Sequence, residues 1–136
     1  MKIWFVDANV FLRFFTRDDD GQHERAVRLF QDAESDKVAL LTGPPVLFEV
    51  AWTLGSAYRM DQEKVLDAIE AILSLSWLKL LDREPVEEAV RLAREGGQGF
   101  ADAYILASAR LALADGIATF NRKDFEKMGA RLYPLG

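Results

Sequence analysis

The sequence predicts an α/β domain with a mostly parallel sheet of four to five short strands. Three observations predict it. Apolar runs about four residues long recur along the chain, and stretches of 3.6-residue periodicity separate them. The two kinds of segment also alternate, the pattern of strand–helix–strand units rather than of an all-β or all-α chain. With 136 residues, half of them hydrophobic and 29 % charged, the chain is expected to form one domain over residues 1–136.

Residues 3–6 are continuously apolar, the mark of a strand buried on both faces. Residues 8–16 read as a helix, and Arg17-Asp18-Asp19-Asp20-Gly21 is a polar, solvated break. A helix is expected from about 22 to 33, with Ala26, Val27, Leu29 and Phe30 on its apolar side. Residues 38–41 form the second strand, closed by Gly43-Pro44-Pro45. Pro45 suits the first turn of a helix over 46–59. Asp61 is the expected cap of a further helix reaching residue 75. The third strand covers 78–81. Pro85 opens a helix over 86–94 that Gly96-Gly97 closes. Residues 100–114 are the most apolar helix, 116–119 the fourth strand, 124–128 a single helical turn, and 131–133 an edge strand.

Composition removes several functions. The chain has no cysteine, so disulfides, thiolate metal sites and cysteine nucleophiles are excluded. His23 is the sole histidine, which excludes His-rich zinc sites. The net charge is -5, whereas proteins that grip nucleic acid by phosphate contacts alone are usually basic. A nucleic-acid role therefore needs another source of positive charge, such as a bound divalent cation. The acidic balance also favours a basic partner protein. No stretch has the length of a membrane span, and Asp7 interrupts the one short apolar start, so a cytoplasmic protein without a secretory leader is expected.

Four carboxylates carry the functional reading. In parallel sheets, ligands bind beyond the carboxyl ends of the strands. Asp7 stands there after the first strand, in Asp7-Ala8-Asn9, where either polar residue also suits a helix cap. Glu49 falls with Thr53 and Ser56 along the border of the apolar stripe Val46, Val50, Leu54. Asp102 shares a helix face with Ile105, Leu106, Ala109 and Leu113, an inward position where a carboxylate needs a partner or a proton. Asp124 follows the fourth strand, with Thr119 and Asn121 as further oxygen donors. Taken singly, each acid could be a cap or a solvated side chain. Brought to one rim, they would repel strongly unless a cation neutralised them, and oxygen-only donors select Mg²⁺ or Mn²⁺.

The motifs Val6-Asp7-Ala8-Asn9-Val10, Phe100-Ala101-Asp102-Ala103 and Thr119-Phe120-Asn121-Arg122-Lys123-Asp124, with Glu49 between them, resemble the PIN-domain pattern in the same order. The resemblance spans essentially the whole chain. It is closest to the VapC-type toxins of toxin–antitoxin pairs, which also carry segments like Phe11-Leu12-Arg13-Phe14-Phe15-Thr16-Arg17-Asp18-Asp19. The resemblance implies a three-layer α/β/α sandwich, a Mg²⁺- or Mn²⁺-dependent endoribonuclease, a VapB-type antitoxin partner and a homodimer. It implies Asp7, Glu49, Asp102 and Asp124 as catalytic acids, Asp7 and Asp102 as metal ligands, and Asn9, Thr119 and Asn121 in support. Some relatives have Asp where this chain has Asn121, so either Asn121 or Asp124 occupies the fourth position.

Arg13, Arg17, Arg122 and Lys123 are possible phosphate contacts, and Phe11, Phe14, Phe15, Trp52 and Tyr58 possible interface residues, with solvated charge and core packing as the competing readings. The alternative to a nuclease is a degenerate PIN-like interaction module. A receiver-like or phosphatase domain fits less well. The former needs Asp82 as phosphoacceptor with Lys123 as its lysine, and the latter an acid where Asn9 stands.

Overall fold

A computed structural model describes residues 1–135. Gly136, the last residue of the expected domain, lies outside the described residues. The elements follow in the order β1 (Ile3–Phe5), α1 (Ala8–Phe15), α2 (Asp20–Glu34), β2 (Ala39–Thr42), α3 (Pro44–Ser56), α4 (Gln62–Leu73), β3 (Leu78–Leu80), α5 (Arg83–Gly96), α6 (Phe100–Leu111) and α7 (Arg122–Lys127). The class is the expected one: α/β with a parallel sheet, in strand order β1-β2-β3.

Local chemistry sets the helix ends. Asp61 caps α4 as expected, its carboxylate accepting from Lys64 N at 2.9 Å. Asp19 does the same for α2 through Gln22 N at 3.0 Å, so that helix starts at Asp20, two residues before the expected position. The acidic break is thus a loop and a cap at once. Prolines open α3, and Gly97, with φ +63°, closes α5 in the left-handed region that glycine adopts without strain.

The core lies between the sheet and the helices. Leu47, Val50 and Leu54 of α3, Phe11 of α1 and Ile69 of α4 are inaccessible to solvent. Each buried side chain of this size contributes roughly 1.5–3 kcal/mol relative to exposure. Phe30 sits among Phe11, Phe14 and Trp77 with ring centroids 4.9–5.6 Å apart, fastening α2 to α1 and to the start of β3. Arg94 of α5 bonds to Glu63, Asp67 and Glu70 of α4 and ties that pair together at the surface.

The sheet corrects the sequence expectation. Among the described residues it has three strands rather than four to five. Residues 116–119 and 131–133 meet only through the parallel bridge Ile117↔Leu132. Ile117 N donates to Arg131 O at 2.8 Å, and a Cβ at Gly116 would lie 2.3 Å from that oxygen, so only glycine permits the approach. These segments travel with α6 and α7, and α6 packs chiefly on α5, so they do not reach the sheet.

β1 is the second correction. Its apolar run was expected to be buried on both faces, yet Ile3, Trp4 and Phe5 are 64, 54 and 55 % exposed. Pairing with β2 satisfies one edge; among the described residues no strand lies beside the other. Alternation accounts for Ile3 and Phe5, but Trp4, which pairs with the buried Leu40, is exposed because β1 is the edge strand. Register aligns Leu40 with Leu78 and Thr42 with Leu80, all buried. The opposite face carries Ile3, Phe5, Leu41 and Lys79, none of them buried.

The third correction concerns α6. It buries Phe100, Ala103, Leu106 and Ala107, while Ile105 is 50 % and Leu113 89 % exposed. Of the expected inward face of Asp102 with Ile105, Leu106, Ala109 and Leu113, Leu106 is buried and Ala109 packs against the core, whereas Ile105 is exposed and Leu113 lies beyond the end of the helix at Leu111.

Candidate active site

Asp7 leaves the carboxyl end of β1. The buried Thr42 hydroxyl donates to Val6 O at 3.0 Å and pins that end of the strand to β2. Asp7 Oδ1 accepts from Ala8 N at 2.8 Å, so this carboxylate also caps α1. Its side chain, like those of Asn9 and Glu49, is exposed. Glu49 lies beside Thr53 at the border of the buried stripe of α3, as its spacing predicts.

The second group of acids belongs to the C-terminal part. Phe48 of α3 meets Phe100 and Tyr104 of α6 at 5.4 and 4.9 Å, which seats the first turn of α6 against α3. Asp102 sits in that turn, half-buried. The side-chain amide of Asn121 donates to Asp102 Oδ2 at 3.4 Å and to Asp124 Oδ2 at 3.1 Å. Thr119 Oγ1 in turn accepts from Asn121 N at 3.0 Å and fixes the turn. Burial pushes the Asp102 carboxyl above the usual carboxylate range, and the negative charge of Asp124 pushes it further. The Tyr104 hydroxyl is likewise raised, by burial and then by Asp82 at the end of β3.

Of the four acids singled out from sequence, the structure therefore brings Asp102 and Asp124 together, with Asn121 and Thr119 beside them. Among the described residues, no three His, Asp or Glu side chains form a group able to hold a metal ion. The donor chemistry of the pair fits a hard dication: its oxygens are carboxylate or amide, and Asp102 bears a charge that a cation would relieve. A group of three would need an acid from outside the pair.

The basic and aromatic expectations divide. Arg13 is engaged with Asp18 at 3.2 Å, and Arg122 reaches Tyr133 O, while Arg17 and Lys123 are exposed. Phe11 is core, Phe14, Phe15 and Tyr58 are half-buried, and Trp52 is 71 % exposed. Trp52 borders an apolar cavity of about 350 Å³ between α3, α4 and the start of α6, which none of the four acids lines. Sequence reasoning missed the bond from the Tyr58 hydroxyl to Asp18 Oδ2 at 2.6 Å. Forty positions separate the two residues, and no spacing rule announces such a contact. No helix among the described residues is long and apolar enough to cross a membrane.

None of the curated proteins matches the chain. The model of the PIN domain matches residues 4–130, from inside β1 to just past α7. That span holds all four acids in the order the resemblance requires, on an α/β fold with a parallel sheet. The chain belongs to the PIN-domain family, whose members are in general metal-dependent nucleases.

Proposed function

We propose that the chain is a divalent-metal-dependent endoribonuclease and the toxin of a VapBC-type toxin–antitoxin pair. The observation that carries this reading is the Asp102–Asn121–Asp124 cluster, in which two carboxylates share one amide and Asp102 is disfavoured as an anion. Such an arrangement gains from a cation, which would relieve the repulsion that one shared neutral amide leaves.

Asp7 and Asp102 are the residues to hold Mg²⁺ or Mn²⁺. A bound ion of this kind polarises a phosphoryl oxygen and lowers the pKa of a water. Glu49 and Asp124 would complete the site or orient the water that such an ion activates. Asn9, Thr119 and Asn121 supply neutral donors and acceptors that keep the carboxylates in place. The negative rim also draws a basic segment of a VapB-type antitoxin, and the RNA phosphate enters through the cation. A homodimer and a cytoplasmic location complete the reading.

The test is RNA cleavage by the purified chain with Mg²⁺, with Mn²⁺ and in chelator. Cleavage with either metal is expected, and Asp7→Asn and Asp102→Asn are each expected to abolish it with circular dichroism unchanged. Equal cleavage in chelator, or full activity in either variant, overturns the assignment. A second reading, a PIN-like interaction module without cleavage, is favoured by the absence of a three-carboxylate group within the single chain among the described residues. Neither cleavage nor any metal-induced rise in melting temperature would select it.

A further inference from the structure

The apolar cavity of about 350 Å³ between α3, α4 and the start of α6 adjoins two of the acids along the chain. On α3 its wall is Phe48, Ala51, Trp52 and Gly55, so Glu49 is flanked by lining residues. Side chains three apart on a helix are neighbours, with Cβ atoms about 5–6 Å apart, which sets Trp52 beside Glu49. On α6 the lining reaches Ala101, and Asp102 follows it. Phe48 joins the two walls through Phe100, with ring centroids 5.4 Å apart.

We propose that this cavity receives one unpaired nucleobase of the RNA, stacked on Trp52, while the phosphate of the same nucleotide lies at the acids. The substrate is thereby RNA that is single-stranded where it is cut. A base in a duplex enters such a cavity only at the cost of unstacking and unpairing. The place of the phosphate rests on the nuclease reading above; the stacking on Trp52 does not.

Three observations select a base as the occupant. Trp52 is 71 % exposed, whereas Leu66 and Phe100 of the same lining are buried, so an aromatic face is offered to solvent above an apolar floor. None of the lining side chains among the described residues is charged. In a chain of net charge -5, an anion needs a cation to approach, whereas a base is neutral and needs none. The cavity is also continuous along α3 and α6 with the residues assigned to the phosphate, and one sugar spans from a phosphate to its own base.

Recognition rests on stacking. Apart from the Trp52 indole, Gln62 is the only polar side chain of the lining among the described residues. Its amide is engaged between Gly97 O at 3.0 Å and Gly99 N at 2.7 Å, where it braces the loop leading into α6. Little is left to read a base edge, so the cavity distinguishes unpaired from paired RNA without choosing one base.

The probe is a uridine strand carrying one 2-aminopurine ribonucleotide, single or paired with its complement. It is titrated with the full chain in Ca²⁺, an oxygen-bound ion, in place of the cleaving metal. Fluorescence of the single strand is expected to be quenched, and that of the duplex to stay. Trp52→Ala, at an exposed position, is expected to weaken binding of the single strand by about 5- to 100-fold, and Trp52→Phe to restore most of it. Gly55→Leu fills the cavity from α3. A Cβ there meets Val65 Cγ2 at an ordinary 3.9 Å, so circular dichroism is expected to be unchanged while quenching is lost. With Mg²⁺ or Mn²⁺, cleavage of the same single strand is expected to show a raised KM and a nearly constant kcat in Trp52→Ala and Gly55→Leu.

No quenching of the single strand, equal quenching of the duplex, or quenching unchanged in both variants overturns the proposal, even where the wild type cleaves. A sedimentation mass that Trp52→Ala halves, with no quenching in the wild type, gives the cavity to a second copy instead. Quenching that follows Trp52 in a chain that cleaves no RNA removes the nuclease reading and leaves the base site standing.

Discussion

The side-chain amide of Asn121 stands 3.1 Å from a carboxylate oxygen of Asp124 and donates to it across one turn of chain. The same amide reaches Asp102 on α6, so one neutral group is shared between two anions. Satisfying both with one neutral donor leaves charge uncompensated, and the carboxyl of Asp102 is raised above its ordinary range, by burial first and then by the charge of Asp124.

Asp102→Asn removes that charge. In chelator at neutral pH its melting temperature is expected to rise by about 1–4 °C, while metal-dependent cleavage disappears. The sign follows from a folded-state pKa raised above the unfolded one. Protonated Asp102 favours the fold, and that benefit is lost as pH rises through the folded value. The advantage of the variant is therefore present at neutral pH and absent in acid, as calorimetry across pH will show.

Asn121→Asp replaces the shared donor with a third anion. The melting temperature in chelator is expected to fall by about 2–6 °C and to recover in millimolar Mn²⁺ by more than the wild type gains. A variant that melts like the wild type under both conditions means that Asn121 does not border a cation site.

Tyr58→Phe acts on Asp18. Hydrogen bonds from Tyr58 and then Thr16, with the charge of Arg13, hold the Asp18 carboxyl below its ordinary range. A depressed folded pKa stabilises above the unfolded value and is lost as pH falls through the folded one. In the variant the Asp18 titration, followed by NMR, is expected to move up toward the ordinary range. Its melting point should trail the wild type at neutral pH and converge with it in acid.

Gly116→Ala sets a Cβ against Arg131 O at a separation that no relaxed contact allows. The bridge Ile117↔Leu132 is expected to open. Faster amide exchange at Ile117 and Tyr133, whose N–H groups make the two bonds of that bridge, will report it. Amides of α4, remote from the bridge, should keep their protection.

Arg94→Met leaves Glu63, Asp67 and Glu70 facing one another on α4. The groups are largely exposed, so a fall of only about 2–4 °C is expected, shrinking in high salt. Thermal melts at low and high ionic strength check it.

Read alone, the sequence determined the α/β class, the order of the elements as far as α6, the Asp61 cap, the glycine stop at Gly97 and the motifs that mark the family. Those features are written within about ten neighbouring residues, through periodicity, caps and turn chemistry. Tertiary structure decided the rest: that α6 buries Leu106 but leaves Ile105 exposed, that among the described residues β1 keeps an open edge and the sheet stops at three strands, and that Asp102 meets Asp124 within one chain. These depend on which of several apolar surfaces pack together. The hydrophobic effect scales with area and has no direction, so an apolar stripe specifies that it will be covered but not by what.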